Sequence, residues 1–348
     1  MSVPKVSVIV PSYNHARFLS QRLDSVLGQT FQDFEVILLD DCSTDESQSI
    51  LSKYADDPRV RIDFNEKNSG NPFKQWNKGV GLARGEYVWI AESDDYADER
   101  MLTRLVSVLE AEPDVGFVYC RSWCVTVDDR LDGFVDDFYI ADLGATKWTM
   151  DYFADGRDEC RNYFVARNVV ANASSVLFRK TIYERVGGAD ETLRMSADWK
   201  LWAAMALLGR VAYLSEPLNY YRFHDETVRG KDKSHAGEAE ESLRVIRWIL
   251  DQITISDSVL EKSRNAHSRL WIPPVLNGQV PLERRWAILR GAMATDPHAL
   301  RRLMWGAFFV LIWPPVRAHV WHPLLGVTRP VRHALGLRQR SVRPAPKK

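Results

Sequence analysis

The sequence predicts an α/β fold in which a mainly parallel mixed sheet, flanked by helices, is followed by a helical C-terminal extension. Short apolar runs rich in β-branched residues recur along the first 120 residues, separated by polar loops and amphipathic stretches. Such runs are typical of strands buried on both faces of a parallel sheet. Their spacing of roughly 25–30 residues leaves room for one crossover helix between strands. From residue 236 onward, apolar residues recur at helical spacing.

The strand–helix alternation occupies residues 1–228, which we expect to form one domain. Strands are predicted at residues 6–10, 34–39, 60–64, 87–90, 115–120 and 211–214, with a loop entering another strand at 172–178. Helices are predicted at residues 18–27, 47–54, 73–83, 99–112, 180–186 and 198–208. Asn14 is expected to cap the first helix, and Ser43 or Thr44 the second. Residues 128–158 look irregular and aromatic, and would form either a lid or a cover for the core.

Three carboxylates, Glu92, Asp94 and Asp95, follow the predicted strand at residues 87–90. Ligands of open α/β sheets bind outside the carboxyl ends of the strands. Clustered acids there repel one another unless a cation or polar ligand offsets them, and oxygen ligands suit Mg²⁺ or Mn²⁺. The alternative is a solvated acidic loop. The loops at residues 12–14 and 40–41 end neighbouring strands, so together they predict an acidic cleft for a nucleotide with its metal.

Two further residues are candidates with ordinary structural alternatives. Asp198 lies in the first turn of a predicted helix, where a carboxylate is stabilised by the helix dipole whether or not it has another role. His224 ends an aromatic segment and is either a packed histidine or a ligand.

Residues 229–313 are predicted to form the helical extension, and residues 314–348 a basic, partly disordered tail. The formal net charge is zero, yet from Pro297 to the end there are ten Lys and Arg residues and no Asp or Glu. Aromatic residues among these arginines suit either an interfacial helix on an anionic membrane or a helix packed on the first domain. No nucleic-acid motif accompanies the tail, so nucleic acid is not expected as a partner.

Cysteine usage and hydropathy predict the compartment. The four cysteines lack metal-site spacing, and we interpret them as reduced thiols of a cytosolic protein. The chain opens on a strand rather than on a signal-peptide pattern. No stretch reaches the ~18–20 apolar residues of a spanning helix. We therefore expect a cytoplasmic location, with peripheral binding at the inner face of the plasma membrane.

Polar and apolar motifs follow one another in a fixed order at residues 6–14, 35–45, 85–95, 174–178, 187–188, 197–202 and 221–224. These motifs and their order resemble the family 2 glycosyltransferases, which have the GT-A fold. The resemblance covers about residues 3 to 228.

The resemblance implies a role for each matching residue. The implied donor-nucleotide residues are Pro11, Ser12, Tyr13, Asn14, Asp40, Asp41, Asn68, Gly70, Asn77, Lys78, Ser93 and Asp94. The implied ligands of a divalent cation, Mn²⁺ or Mg²⁺, are Glu92, Asp94, Asp95 and His224. Asp198 is the implied catalytic base. The sequence departs from the family pattern at Glu92, where the first acid of the D-x-D motif is usually Asp, and at Ala197, where Glu commonly precedes the base.

The resemblance also implies the reaction. The enzyme would transfer a sugar from a nucleoside-diphosphate donor, expected to be a UDP-sugar, to a hydroxyl of a glycan or lipid-linked acceptor. Inversion is expected because the sequence offers no Ser-His-Asp or Cys-His nucleophile. A sugar nucleotidyltransferase is the first alternative, but the loop at residues 12–17 lacks the glycines that would hold a triphosphate. A non-catalytic nucleotide-sugar-binding scaffold is the second, although all the acids are present.

Overall fold

The computed structural model describes residues 3–137, 143, 146–170, 172–224 and 232–312. The predicted tail at residues 314–348 and the predicted boundary at 228/229 lie outside these ranges. Within them the chain forms a single sheet of ten strands with helices on both faces, followed by a group of helices. In this part of the chain no helix is both long enough and apolar enough to cross a bilayer.

The strands are β1 (Val6–Ser12), β2 (Phe34–Asp40), β3 (Val60–Phe64), β4 (Tyr87–Ile90), β5 (Tyr96–Ala97), β6 (Val115–Val125), β7 (Leu131–Phe134), β8 (Tyr152–Asp155), β9 (Val176–Arg179) and β10 (Arg210–Arg222). The helices of the sheet domain are α1 (Ala16–Leu27), α2 (Ser47–Ser52), α3 (Pro72–Leu82), α4 (Met101–Ala111), α5 (Gly156–Glu159), α6 (Lys180–Arg185) and α7 (Ala197–Ala206). The extension contains α8 (Ala236–Gln252), α9 (Asp257–Leu276), α10 (Leu282–Thr295) and α11 (Ala299–Ile312). Short 3₁₀ or π-helical turns lie at Lys147–Thr149, Cys160–Phe164 and Ala173–Ser175.

The sheet has the order β3-β2-β1-β4-β9-β6-β10-β5, with β7 beside β6 and β8 beside β10. The strands from β3 to β4 pair in parallel, and β9 runs antiparallel between β4 and β6. The predicted α/β fold with a mixed sheet is confirmed. Because β1, β2 and β4 are parallel neighbours, their carboxyl ends meet at one edge of the sheet.

The apolar runs fill both faces of this sheet. Every residue of β1, β2 and β4 is buried. Adjacent residues belong to opposite cores: Val8 packs with α1 and α4, whereas Ile9 packs with α3 and α7. This alternation follows from the two-residue period of a strand, and it explains why these strands are apolar throughout. Strand β3 lies at the edge and is only partly buried.

Several local predictions were wrong. Asn14 does not cap α1: it adopts a φ of 55°, and its Oδ1 accepts hydrogen bonds from the Thr44 backbone and hydroxyl. Asn tolerates this left-handed conformation better than most residues, which frees its side chain to hold the next loop. Nor do Ser43 and Thr44 cap α2, which begins only at Ser47, where the backbone N–H donates to Asp45.

Other differences concern strands at the margins of the sheet. The segment at 128–158 contains β7 and β8, which are half-exposed and therefore carry no continuous apolar run. Strand β10 extends well beyond the predicted residues 211–214, because its pairing with β6 continues past Pro217 through register shifts.

The extension packs directly on the sheet domain. Helix α8 contacts α7, and α9 inserts two polar side chains against the turn that follows the π-helix. Ser263 Oγ donates to the Val165 carbonyl oxygen at 2.7 Å, and His267 Nε2 donates to that of Ala166 at 2.7 Å. Burial lowers the pKa of His267 to about 4, so the imidazole stays neutral in the folded protein at neutral pH.

The buried imidazole predicts acid sensitivity of this interface. In the unfolded chain His267 takes up a proton near its ordinary pKa of about 6.5, whereas the folded protein resists protonation until about pH 4. The free energy of unfolding should therefore fall by up to about 1.4 kcal/mol for each unit by which the pH is lowered between these values. Denaturant unfolding at a series of pH values measures this slope.

His267→Gln removes the titrating group, so its slope should be shallower than that of the wild type in this pH window. His298→Gln, at an exposed position, is the matched control and should keep the wild-type slope. Equal slopes for all three proteins would contradict the assignment.

Candidate active site

One cleft of about 1390 Å³ opens at the carboxyl ends of β1, β2 and β4 and continues past the start of α7 to the extension. It is lined by most of the residues that the sequence predicted for the site: Pro11, Ser12, Tyr13, Asp41, Asn68, Gly70, Glu92, Ser93, Asp94, Asp95 and Asp198. The loops therefore converge as the parallel topology requires.

Five predicted residues of the described chain do not line this cleft. One of them, His224, is almost fully buried and contacts Asp94, which does line the cleft. Asn14 holds the Thr44 loop, and Asp40 accepts hydrogen bonds from Ser43 and Gln48. Asn77 and Lys78 point away from it: Asn77 donates to Ala189 and Glu191, and Lys78 to Asp63 and Asn65. The other four side chains brace the loops around the cleft.

Asp41 organises the loop that follows β3. Its carboxylate accepts hydrogen bonds from the Ser69 backbone and hydroxyl, both at 2.8 Å, and from Gln75 at 2.9 Å. Its backbone oxygen accepts from Asn68, whose own Oδ1 accepts from the Gly70 N–H. Gly70 has a φ of 71°, which suits glycine at this turn. The side chain directly after β2 thus shapes the neighbouring wall of the cleft.

The three acids after β4 lie in different environments. Glu92 Oε1 accepts a hydrogen bond from Trp76 Nε1 at 2.7 Å, and Asp94 Oδ2 lies 2.9 Å from His224 Nε2. Asp95 is buried, and its carboxylate accepts from Asn172 at 2.8 Å, from the Ser174 hydroxyl at 2.7 Å and from a backbone N–H of β10. Asp95 is therefore held by hydrogen bonds to the surrounding protein, whereas Asp94 contacts His224.

The pKa values of these three acids also differ. Burial and the neighbouring Asp94 charge raise the pKa of Glu92 to about 8 and that of Asp95 to about 6. Burial also disfavours the Asp94 anion, but the His224 hydrogen bond and the nearby His15 outweigh it and lower the pKa of Asp94. The loop thus holds one firmly ionised carboxylate between two that take up protons more readily.

Two buried arginines that sequence reasoning missed fix the backbone of this loop. Arg22 of α1 donates to the Glu92 carbonyl oxygen at 2.8 Å and lies 3.9 Å from the Asp95 carboxylate. Arg222, at the end of β10, donates to the Asp94 carbonyl oxygen at 2.8 Å. The signal for Arg22 was its place on the apolar face of α1, where a cation needs a buried partner.

The residues present fit a divalent cation. Ligand atoms of His15, Asp94 and His224 all lie within 4.8 Å of one another, and one carboxylate with two imidazoles is an ordinary donor set. His15 was not predicted; it directly follows the loop after β1, and its Nδ1 lies 2.8 Å from Ser93 Oγ. The hydrogen bonds of Glu92 and Asp95 direct their carboxylates to protein groups instead.

Asp198 occupies the first turn of α7, as predicted. Its Oδ2 accepts a hydrogen bond from Asn168 at 2.9 Å, and its Oδ1 accepts from the Trp199 N–H at 2.7 Å. The preceding Ala197 is fully buried in the core beneath the helix. Beyond Asp198 the cleft is walled by α8 and α10, including Trp248 and Gly291, so the extension forms part of the site.

Known proteins resemble this chain in sequence and in fold. The family model described as Glycosyl transferase family 2 matches residues 7–165. An uncharacterized glycosyltransferase of Nostoc sp. is 30% identical over 249 residues, which span 68% of this chain and 70% of the Nostoc protein.

Solved structures share the fold. Staphylococcus aureus TarS 1–349 in complex with UDP-GlcNAc has a TM-score of 0.62 at 20% identity, covering 95% of this chain and 92% of that chain. A mannosyltransferase of Pyrobaculum calidifontis in complex with GDP-Man and Mn²⁺ has a TM-score of 0.52 at 20% identity, covering 93% and 86%. The predicted GT-A fold is confirmed.

Proposed function

The chain belongs to glycosyltransferase family 2, and on that premise we propose that it moves a sugar from a UDP-sugar to a hydroxyl of a glycan or lipid-linked acceptor, with inversion at the anomeric carbon. The observation that carries the proposal is the single cleft that joins the loops after β1 and β2, the acidic loop after β4 and Asp198. Acceptors of this kind belong to the biosynthesis of cell-surface polysaccharides or glycolipids.

The donor nucleotide is assigned to the end of the cleft formed by the loops after β1 and β2. Pro11, Ser12 and Tyr13 form one wall there, and Tyr13 presents a partly exposed ring on which a base can stack. Asp41 and the turn it holds line the same end of the cleft. The UDP-GlcNAc complex of TarS supports a UDP-sugar as the donor.

A divalent cation is assigned to Asp94, His224 and His15. When bound, it would offset the charge of the leaving diphosphate as a Lewis acid. The low pKa of Asp94 keeps this carboxylate anionic, and the Arg222 contact to its backbone fixes its position. Two imidazoles favour Mn²⁺ over Mg²⁺, because Mg²⁺ prefers an oxygen shell. The Mn²⁺ complex of the Pyrobaculum enzyme supports this assignment.

Asp198 is assigned as the general base. It lines the same cleft as the donor loops, on the helix that α8 of the extension packs against, so an acceptor hydroxyl bound in the cleft can reach it. Removing the hydroxyl proton as the new bond forms allows a single displacement, which inverts the anomeric carbon. Asn168 holds one oxygen of the carboxylate and restricts its rotation.

An anionic membrane is proposed as a further partner, at the inner face of the plasma membrane in the cytoplasm. Helix α11 buries Ala299 and Gly306 against the extension, but exposes Leu300, Met304, Trp305 and Phe308. Apolar and aromatic side chains on an outer face suit the boundary between headgroups and acyl chains. The chain beyond them is basic and has no acid to oppose anionic lipids.

A donor panel tests the enzyme proposal. With Mn²⁺ present, one class of nucleotide sugar should raise the Tm of the wild type and be slowly hydrolysed. Asp94→Ala should lose both effects, because the cation and diphosphate lose their anchor. Asp198→Ala should keep the thermal shift but lose about 10²–10⁴ in hydrolysis rate, since a general base acts only in the chemical step. If no nucleotide sugar raises the Tm of the wild type or is hydrolysed by it, the proposal is wrong.

Manganese binding tests the assignment of His15. In titrations of the chain with Mn²⁺ read by electron paramagnetic resonance, His15→Ala should weaken binding at least about tenfold. The wild type should bind Mn²⁺ more tightly than Mg²⁺. His298→Ala is the control and should bind as the wild type does. An unchanged Kd for His15→Ala would exclude this residue as a ligand.

Vesicle co-sedimentation tests the membrane proposal. Met304 and Met150 are comparably exposed, at 72% and 65%, but only Met304 lies on α11. Met304→Asp should lower binding to vesicles of phosphatidylglycerol and phosphatidylcholine about tenfold or more, because the side chain no longer enters the apolar layer. Met150→Asp should bind as the wild type does. Equal binding of both variants, or no preference for phosphatidylglycerol, contradicts the proposal.

A further inference from the structure

The segment at residues 191–196 leads directly into α7, the helix that carries Asp198. It contains no helix or strand, so its backbone groups are not paired by a helix or a sheet and bond to side chains, nearby turns or water. The first N–H groups of any helix also lack partners within the helix. The position of Asp198 therefore depends on what holds this segment.

A carboxylate from the extension holds it. Glu241 of α8 accepts a hydrogen bond from the Arg194 N–H at 2.9 Å through Oε1. Its Oε2 accepts from the N–H groups of Met195 at 2.8 Å and Ser196 at 2.9 Å. Ser196 is the residue that precedes α7, so the carboxylate sits at the N-terminus of the helix, where the helix dipole favours a negative charge.

Two other side chains hold the rest of the segment. Arg244, one turn along α8, donates to the Thr192 hydroxyl at 2.7 Å. Asn71 donates to the carbonyl oxygens of Glu191 at 2.8 Å and Leu193 at 2.9 Å. Asn71 also caps α3 through the Phe73 N–H, next to the loop assigned to the donor. The segment is therefore clamped between the donor side of the cleft and the extension.

We propose that Glu241 is a positioning residue of the transfer reaction, which sets the place of Asp198 by anchoring the start of α7. The inference rests on the proposed function, because it assumes that Asp198 is the base. Three N–H groups on one carboxylate leave little freedom for the segment. A displacement of about 1 Å at a reacting group can lower a rate about 10²-fold. The extension thereby contributes to catalysis through the position of Asp198.

Hydrolysis of the donor identified by the panel, with water as the acceptor, provides the assay. Glu241→Gln keeps the size of the side chain but replaces one acceptor oxygen by an NH₂ group, which faces N–H donors. We expect kcat to fall about tenfold to 10²-fold, with an unchanged donor KM. Backbone hydrogen exchange at residues 194–196 should become faster. Glu241→Asp keeps the charge with a shorter reach, and should show a smaller loss of kcat.

The matched control is Glu238→Gln, on the same helix. Glu238 does not line the cleft and pairs with His235, so this variant should retain wild-type kcat and exchange rates at residues 194–196. If Glu241→Gln does not fold, Glu241→Asp carries the same comparison. The inference is overturned if the Glu241 variants keep wild-type kcat, if they raise KM instead, or if Glu238→Gln loses as much.

The assay distinguishes a failure of the proposed function from a failure of the positioning role. A wild type that turns over no nucleotide sugar removes the proposed function, and the inference with it. A wild type that turns over its donor while the Glu241 variants match it removes only the positioning role.

Discussion

The arrangement of the cleft depends on a small set of buried charges behind the acidic loop. Asp95 is buried among Asn172, Ser174 and Arg222, and the Arg22 guanidinium lies beside it. Removing one member of such a set leaves another charge buried without compensation, which typically costs about 3–5 kcal/mol. These contacts therefore fix the conformation of the loop. In that conformation Asp94 faces the cleft rather than the core.

The sequence predicts the fold and the position of the cleft well, because strands of a parallel sheet are buried on both faces and read as continuous apolar runs. Once β1, β2 and β4 are placed, the topology alone brings Asp41 and Asp94 to one edge. The sequence does not separate Asp94 from Asp95, because their difference arises from distant partners: Asn172 and Ser174 hold Asp95, and His224 contacts Asp94. The nearest of these partners is 77 residues away in the chain. Likewise, Asn77 and Lys78 follow a site loop but turn their side chains to other partners.

The contribution of the extension is also hidden from sequence periodicity. A helical repeat identifies the apolar positions of α8, yet Glu241 lies among exposed and half-exposed charges and has no local feature that distinguishes it from Glu240. Its partners are backbone N–H groups, which every sequence possesses. Only the docking of α8 onto the segment before α7 gives this carboxylate its partners. The buried Ala197 offers no carboxylate beside Asp198, and the carboxylate at the start of α7 comes instead from Glu241 of α8.

Strand β10 connects α7, which carries Asp198, to Arg222 and His224 beside the acidic loop. It begins four residues after α7 and ends at Arg222, two residues before His224. Successive residues of a strand point to opposite faces, so a shift by one residue reverses them all. The pairing of β10 with β6 already contains irregularities near Pro217, but it runs in register from Asn219 to Arg222. An inserted residue is therefore accommodated more easily at the irregular stretch near Pro217 than between Asn219 and Arg222. In the second place it would turn Arg222 out of the core and carry His224 away from Asp94.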